Sequence, residues 1–130
     1  MAKSSQPPPL SGAQMEIMNV VWERGEVTVA DVWKALVERR KVARNTVQTM
    51  LTRLEEKGWL RHRVEGPGFV YRAAVPRQAT MKRLVRQLVD SAFSGSVDGL
   101  VMTLLEGRRL SKDEAERIRA MIRQAEREQP

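Results

Sequence analysis

The residues best suited to chemistry lie between Arg39 and Thr52, where a run of cations precedes a run of small hydrogen-bonding side chains. Arg39, Arg40, Lys41 and Arg44 come first. Asn45, Gln48, Thr49 and Thr52 then fall on one face of a helix, with Thr46 beside them. Guanidinium and ammonium groups attract phosphates, while Gln48 can pair bidentately with adenine and the Asn and Thr side chains can reach base edges or phosphates. An ordinary solvent face would carry more Lys and Glu. Arg53 lies on the flank of this face, suited either to a phosphate or to an ion pair with Glu56 or Glu23. A second basic group, Arg61, Arg63 and Arg72, sits in two short runs rich in β-branched and aromatic residues. Two cationic groups flanking a polar helix face suit double-stranded DNA, the helix taking the groove and the cations the phosphates on either side.

Other chemistry finds little support. The chain has one histidine and no cysteine, which removes disulfides, thiol catalysis and zinc–thiolate sites. His62 falls in the first β-prone run and reads as a surface or half-buried strand residue, with a minor DNA or pH role as the alternative. No phosphate-binding glycine loop, nucleophile setting or metal cluster occurs, so no enzyme activity, metal or cofactor is expected. A formal net charge of +7 over 130 residues favours a polyanionic partner. No run of uncharged apolar residues is long enough to insert in a membrane, and MAKSSQPPPL lacks the apolar stretch of a signal peptide. Residues 1–9 are expected to be a disordered leader, and a reducing cytoplasm fits the cysteine-free composition.

Three helices must position the polar face. The first should run from about Gly12 to Arg24, with Ser11 as N-cap, Gln14 completing a capping box and Leu10 stapled on Met15. Its buried stripe reads Met15, Met18, Val21 and Trp22, and Gly25 ends it. The second starts at Thr28 with Asp31 three residues on, buries Val29, Val32, Trp33 and Leu36, and stops near Arg40. The third buries Val47, Met50, Leu51 and Leu54 and ends at Gly58. WLRHRVE and FVYRAA, separated by Gly66, Pro67 and Gly68, form a β-hairpin. Trp22, Trp33 and Trp59 are assigned to core packing rather than base stacking. Helix, helix, helix, hairpin is the order of a winged helix-turn-helix domain, which should span residues 10–75.

Residues 76–130 return to helical periodicity. Met81, Leu84, Val85, Leu88, Val89 and Ala92 line one face; Val97, Leu100, Val101, Leu104 and Leu105 form a short apolar helix ending at Gly107. A last helix, capped by Ser111 with Glu114, carries Ala115, Ile118, Met121, Ile122 and Ala125. Three short helices cannot hide these stripes alone, so Met81, Leu84, Val85, Leu88, Leu100, Val101, Leu104, Leu105, Ile118 and Ile122 are expected to form a dimerisation surface against a second copy. The fold class is therefore mainly α with a small β-hairpin wing: a winged helix-turn-helix domain plus a helical dimerisation domain.

The segments LSGAQMEIMNVVWERGEVTVADV, NTVQTMLTRLEEKGWL, FVYRAAV and LSKDEAERIRAMI resemble the penicillinase-repressor family of the BlaI/MecI/CopY type, and the likeness runs from Leu10 to Gln124. The resemblance implies a bacterial repressor that binds a dyad operator as a dimer, with Arg44, Asn45, Thr46, Gln48 and Thr49 on the DNA-facing part of the recognition helix and Arg61 to Arg72 on the wing. Copper-responsive relatives bind metal through C-terminal cysteines, a route this cysteine-free chain lacks. Antibiotic-responsive relatives are inactivated by cleavage inside a short apolar helix, which implies a membrane-bound sensor protease as a further partner. The matching stretch is Leu100 to Glu106, with Thr103 and Leu104 at the scissile pair where the family favours Asn then Phe. The competing reading is a winged-helix module for protein–protein contact.

Overall fold

The computed structural model describes residues 7–128. Along them run α1 (Gly12–Arg24), β1 (Glu26–Val27), α2 (Val29–Val37), α3 (Arg44–Glu56), β2 (Leu60–Glu65), β3 (Gly68–Ala73), α4 (Arg77–Ala92), α5 (Val97–Leu105) and α6 (Lys112–Arg127). The architecture is mainly helical with one small sheet. It divides into two compact units, one ending at Lys82 and the other beginning at Arg83, inside α4.

Local sequence accounts for the helix boundaries. At α1 the Ser11 hydroxyl accepts from the Gln14 amide while the Gln14 side chain accepts from the Ser11 amide, the reciprocal box expected from the sequence. Thr28 and Asp31 repeat it at α2. That bond to the Thr28 amide holds the Asp31 carboxyl below its usual range. α3 ends in a Schellman motif: the Gly58 amide donates to the Glu55 carbonyl and the Trp59 amide to the Leu54 carbonyl, with Gly58 at φ 94. The accompanying apolar contact is supplied by Leu54 and Trp59, both buried.

Several details differ from expectation. α2 stops at Val37 rather than near Arg40, because the Leu36 carbonyl accepts from both the Arg39 and Arg40 amides and closes the chain into a turn. On α1 the fully buried positions are Ile17, Met18 and Val21, whereas Met15 and Trp22 are half-buried. Met50 is likewise half-buried on α3.

The hairpin acquires a third strand. β1 pairs antiparallel with β3, Glu26 opposite Arg72 and Val27 opposite Tyr71, giving the order β1-β3-β2. β2 and β3 pair from Leu60↔Ala73 to Glu65↔Gly68, so the loop has two residues, Gly66 and Pro67. Gly66 at φ 59 supplies the positive angle that a type II′ turn requires at its first central position, and proline tolerates the second. The register divides the sheet's faces. Leu60, His62, Val64, Phe69 and Tyr71 point one way, with Leu60 and Tyr71 joining the core beside Val47, Leu51 and Leu54 of α3. Arg61, Arg63 and Arg72 point the other way.

Each tryptophan packs its ring on this core and donates its indole N–H to a carbonyl outside the regular elements. Trp33 bonds Val42 in the α2–α3 turn, Trp22 bonds Val75 after the hairpin, and Trp59 bonds Pro8, at 2.9, 2.9 and 3.0 Å. The last contact corrects the expected leader: Pro7 is buried, so the chain is tied down from Pro7 onward, and residues 1–6 lie outside the described residues.

In the second unit, Ser96 caps α5 and Ser111 caps α6 by accepting from Gly99 and Glu114 amides. Only the Ser111 half of the expected box at α6 is formed. Apolar stripes run along all three helices, yet Leu84, Val85, Leu88, Val101, Leu104, Leu105 and Ile122 remain exposed in the single chain. Val89 is the large apolar side chain that is buried there.

Candidate nucleic-acid interface

α3 is anchored on one side by Val47, Leu51 and Leu54, each with no exposed surface. Its other side presents Asn45, Gln48, Thr49, Thr52 and Arg53, which together with Glu56 line a groove of about 480 Å³. Arg44 and Thr46 are exposed at its start. The Thr49 hydroxyl donates to the Asn45 carbonyl and the Thr52 hydroxyl to the Gln48 carbonyl, both at 3.0 Å. Those protons are therefore committed to the backbone, leaving the Thr methyls and oxygen lone pairs for a partner. The Gln48 and Asn45 amides make no hydrogen bond among the described residues, so they are the groups able to discriminate a base edge by paired donor and acceptor.

The start of α3 differs from the starts of α1, α2, α5 and α6. Its N-cap is Ala43, with no side-chain bond to the first amides and no acid in the first turn. A helix N-terminus left open in this way offers its amides and positive dipole end to an anion. Lys41 and Arg44 stand beside it without an ion-pair partner among the described residues, whereas Arg40 pairs with Glu16 of α1 at 2.8 Å.

The wing arginines divide in the same manner. Arg61 and Arg72 are opposite each other, exposed, and without an ion-pair partner among the described residues. Arg63 pairs with Glu26 across the sheet and with Glu65 on its own strand at 2.8 Å, and these hydrogen bonds raise its affinity for its proton. All three lie on the sheet face away from α3. On the face toward α3, burial raises the Tyr71 phenol, a hydrogen bond with Thr52 opposes that shift and Glu55 reinforces it. His62 meets Glu55 there, a pairing of helix and wing that sequence reading missed because the partners belong to different elements.

Of the residues expected to pair two copies, Met81, Leu100 and Ile118 are half-buried and the rest are exposed. Thr103 and Leu104 lie within intact α5, where the Thr103 hydroxyl donates to the Gly99 carbonyl at 2.8 Å. Among the described residues no cluster of His, Asp or Glu is arranged to hold a metal, and no single helix is long and apolar enough to cross a membrane.

Three stacked helices, a twisted hairpin and an exposed polar stripe on the third helix define a winged helix-turn-helix protein. The penicillinase repressor family model matches residues 10–124, and the chain belongs to that family. It is 31% identical over 107 residues to the penicillinase repressor of Bacillus licheniformis, covering 82% of this chain and 84% of the relative. The methicillin resistance regulatory protein MecI of Mammaliicoccus sciuri is 24% identical, with 87% and 92% covered. The monomeric form of B. licheniformis BlaI, solved in complex with the blaP half-operator, superposes with a TM-score of 0.50 at 36% identity, covering 56% of this chain and 89% of that structure.

Proposed function

We propose that the chain is a transcriptional repressor that binds a dyad DNA operator as a homodimer, residues 10–75 reading DNA and residues 76–130 pairing the copies. The observation that carries the reading is the exposed Asn45–Gln48–Thr49 stripe on an uncapped, cation-flanked α3. In this assignment Gln48 and Asn45 contact base edges. Thr46, Thr49 and Arg53 make supporting contacts. Lys41, Arg44, Arg61 and Arg72 neutralise phosphates, while Arg40 and Arg63 reach DNA only by leaving their carboxylate partners. The likeness to a BlaI domain solved with a half-operator supports the same orientation. A titration of duplex DNA at two salt concentrations tests it: neutralising about six phosphates lowers affinity by roughly 10³-fold over a fourfold rise in salt. Salt-independent binding would instead indicate a protein-contact module.

The exposed Leu84, Val85, Leu88, Val101, Leu104, Leu105 and Ile122 support pairing through the second unit, aided by Met81, Leu100 and Ile118. Two reading units held by one two-fold axis address half-sites about one helical turn, or a multiple of it, apart. Release from DNA is assigned to cleavage at Thr103–Leu104 by a membrane-bound sensor protease acting from the cytoplasmic side. α5 is a helix of nine residues ending near Gly107, with Met102 and Leu104 more than half exposed, so local unfolding there costs little packing. Mass spectrometry of the repressor recovered from inducer-treated cells tests this: an intact chain during induction rules it out.

A further inference from the structure

One stripe of α3 runs along the wing: Arg44, Gln48, Thr52 and Glu55, spaced so that they share a side of the helix. Its C-terminal half is bonded to the hairpin. The two Glu55 carboxylate oxygens lie 2.7 and 2.8 Å from Nδ1 of His62. Its N-terminal half is open. Arg44 and Gln48 line a groove of about 340 Å³ whose far wall includes Glu65, Pro67, Gly68 and Phe69 at the wing tip. His62 is gripped from the other side by the Phe69 ring, stacked at 4.0 Å and 21°. The imidazole is thus held by a carboxylate at its edge and a phenyl ring on its face, and Phe69 also lines the groove that holds the residues assigned to DNA.

We propose that His62 is a positioning residue that sets the gap between the wing tip and the reading end of α3, and that protonation of its ring tightens that setting. The inference rests on the DNA-reading proposal. The tip lies about four residues beyond His62, roughly 13 Å along an extended strand, so a rotation of ~5° at the imidazole moves the tip by ~1 Å. The neutral ring holds Glu55 with one N–H; the imidazolium adds a full charge to the same contact and strengthens it. The titratable groups facing the ring are Glu55 from α3 and Tyr71 from β3, 5.8 Å away, with Phe69 stacked on it. Arg61 and Arg63, on either side in the strand, occupy the opposite face. His62 is the chain's single histidine, so a substitution there removes the only imidazole.

The test measures operator affinity and wing geometry separately, on the full chain. Wild type should bind operator about fivefold more tightly at pH 6 than at pH 8, the difference between a neutral and a charged hydrogen-bond donor. His62→Asn, whose amide can reach Glu55 without titrating, should match wild type within about twofold at pH 8 and show a flat profile. Glu55→Gln should also be flat. A pH dependence that persists or steepens in Glu55→Gln would overturn the proposal in favour of direct contact between His62 and phosphate. In the DNA-free protein, NMR shifts of the Gly66 and Gly68 amides should differ between pH 6 and pH 8 in wild type and not in Glu55→Gln. Wing-tip amides that stay still would refute the positioning role regardless of DNA. Shifts that move while no duplex binds at either pH would instead refute the DNA-reading proposal.

Discussion

The two units carry equally regular apolar stripes and treat them in opposite ways. In the first, Ile17, Met18, Val21, Val32, Val47, Leu51 and Leu54 close on one another and on Trp59, Leu60 and Tyr71, nearly free of solvent. In the second, the stripes of α4, α5 and α6 stay exposed along most of their length, Leu88 at 42% and Leu104 at 55%. Helical periodicity identifies a face that must be covered; it does not say what covers it. Three helices and a sheet enclose a core because the sheet caps the open side of the bundle. Three short helices without such a cap leave the same kind of surface open to solvent.

That contrast can be broken most severely from inside the first unit. Leu51→Ala should cost about 3 to 5 kcal/mol in chemical denaturation, since the cavity would open among Val47, Leu54 and their neighbours with no solvent path to relax it. The counterpart, Leu88→Glu, should leave the far-UV spectrum nearly unchanged while weakening the dimer by about 3 kcal/mol in sedimentation equilibrium, the cost of an uncompensated charge in an interface. A Leu88→Glu protein that remains fully dimeric would move the pairing surface elsewhere. Gln48→Ala should reduce discrimination of operator from random duplex by about 1 to 3 kcal/mol without affecting oligomeric state. Arg61→Ala or Arg72→Ala should lower the slope of log affinity against log salt by about 1, and Arg63→Ala, whose charge is already matched by Glu26 and Glu65, by less. The smallest effect concerns the α2 cap. The Asp31 carboxyl is held below its usual range, so its contribution is present above the unfolded value near 3.8 and is lost as pH falls through the lower folded value. Asp31→Asn should therefore flatten the acid limb of the stability curve below pH 3.8 by roughly a few tenths of a kcal/mol, small because solvent still screens a half-buried cap.

Much of the scaffold was legible because its rules are local. Ser11, Thr28 and Ser111 announce helix starts, Gly25 and Gly58 announce helix ends, and each acts within a few residues of itself. The polar stripe of α3 was legible for the same reason. What escaped depends on contacts between distant segments. β1 is two residues long, too short to show an alternation, and exists because β3 offers it an edge. Without β1 there was no reason to place Glu26 beside Arg63, so the wing cation appeared free when it is paired. Glu55 read as an unremarked acid near a helix end until the hairpin folded back and set His62 against it. Ala43 was visible throughout, and the missing cap at α3 could have been noticed by comparison with the serines and threonine that open α1, α2, α5 and α6.

All three tryptophans and the single tyrosine belong to the first unit, where the indoles at positions 22, 33 and 59 are locked by hydrogen bonds to Val75, Val42 and Pro8. Beyond Lys82 the one aromatic side chain is Phe93. Intrinsic fluorescence excited at the indole band therefore observes the winged unit alone. Separation of the chains through α4 to α6 would pass almost unseen by that emission, while circular dichroism or sedimentation would register it. A mismatch between fluorescence and circular dichroism would in this protein report where its indoles lie before it reported a folding intermediate.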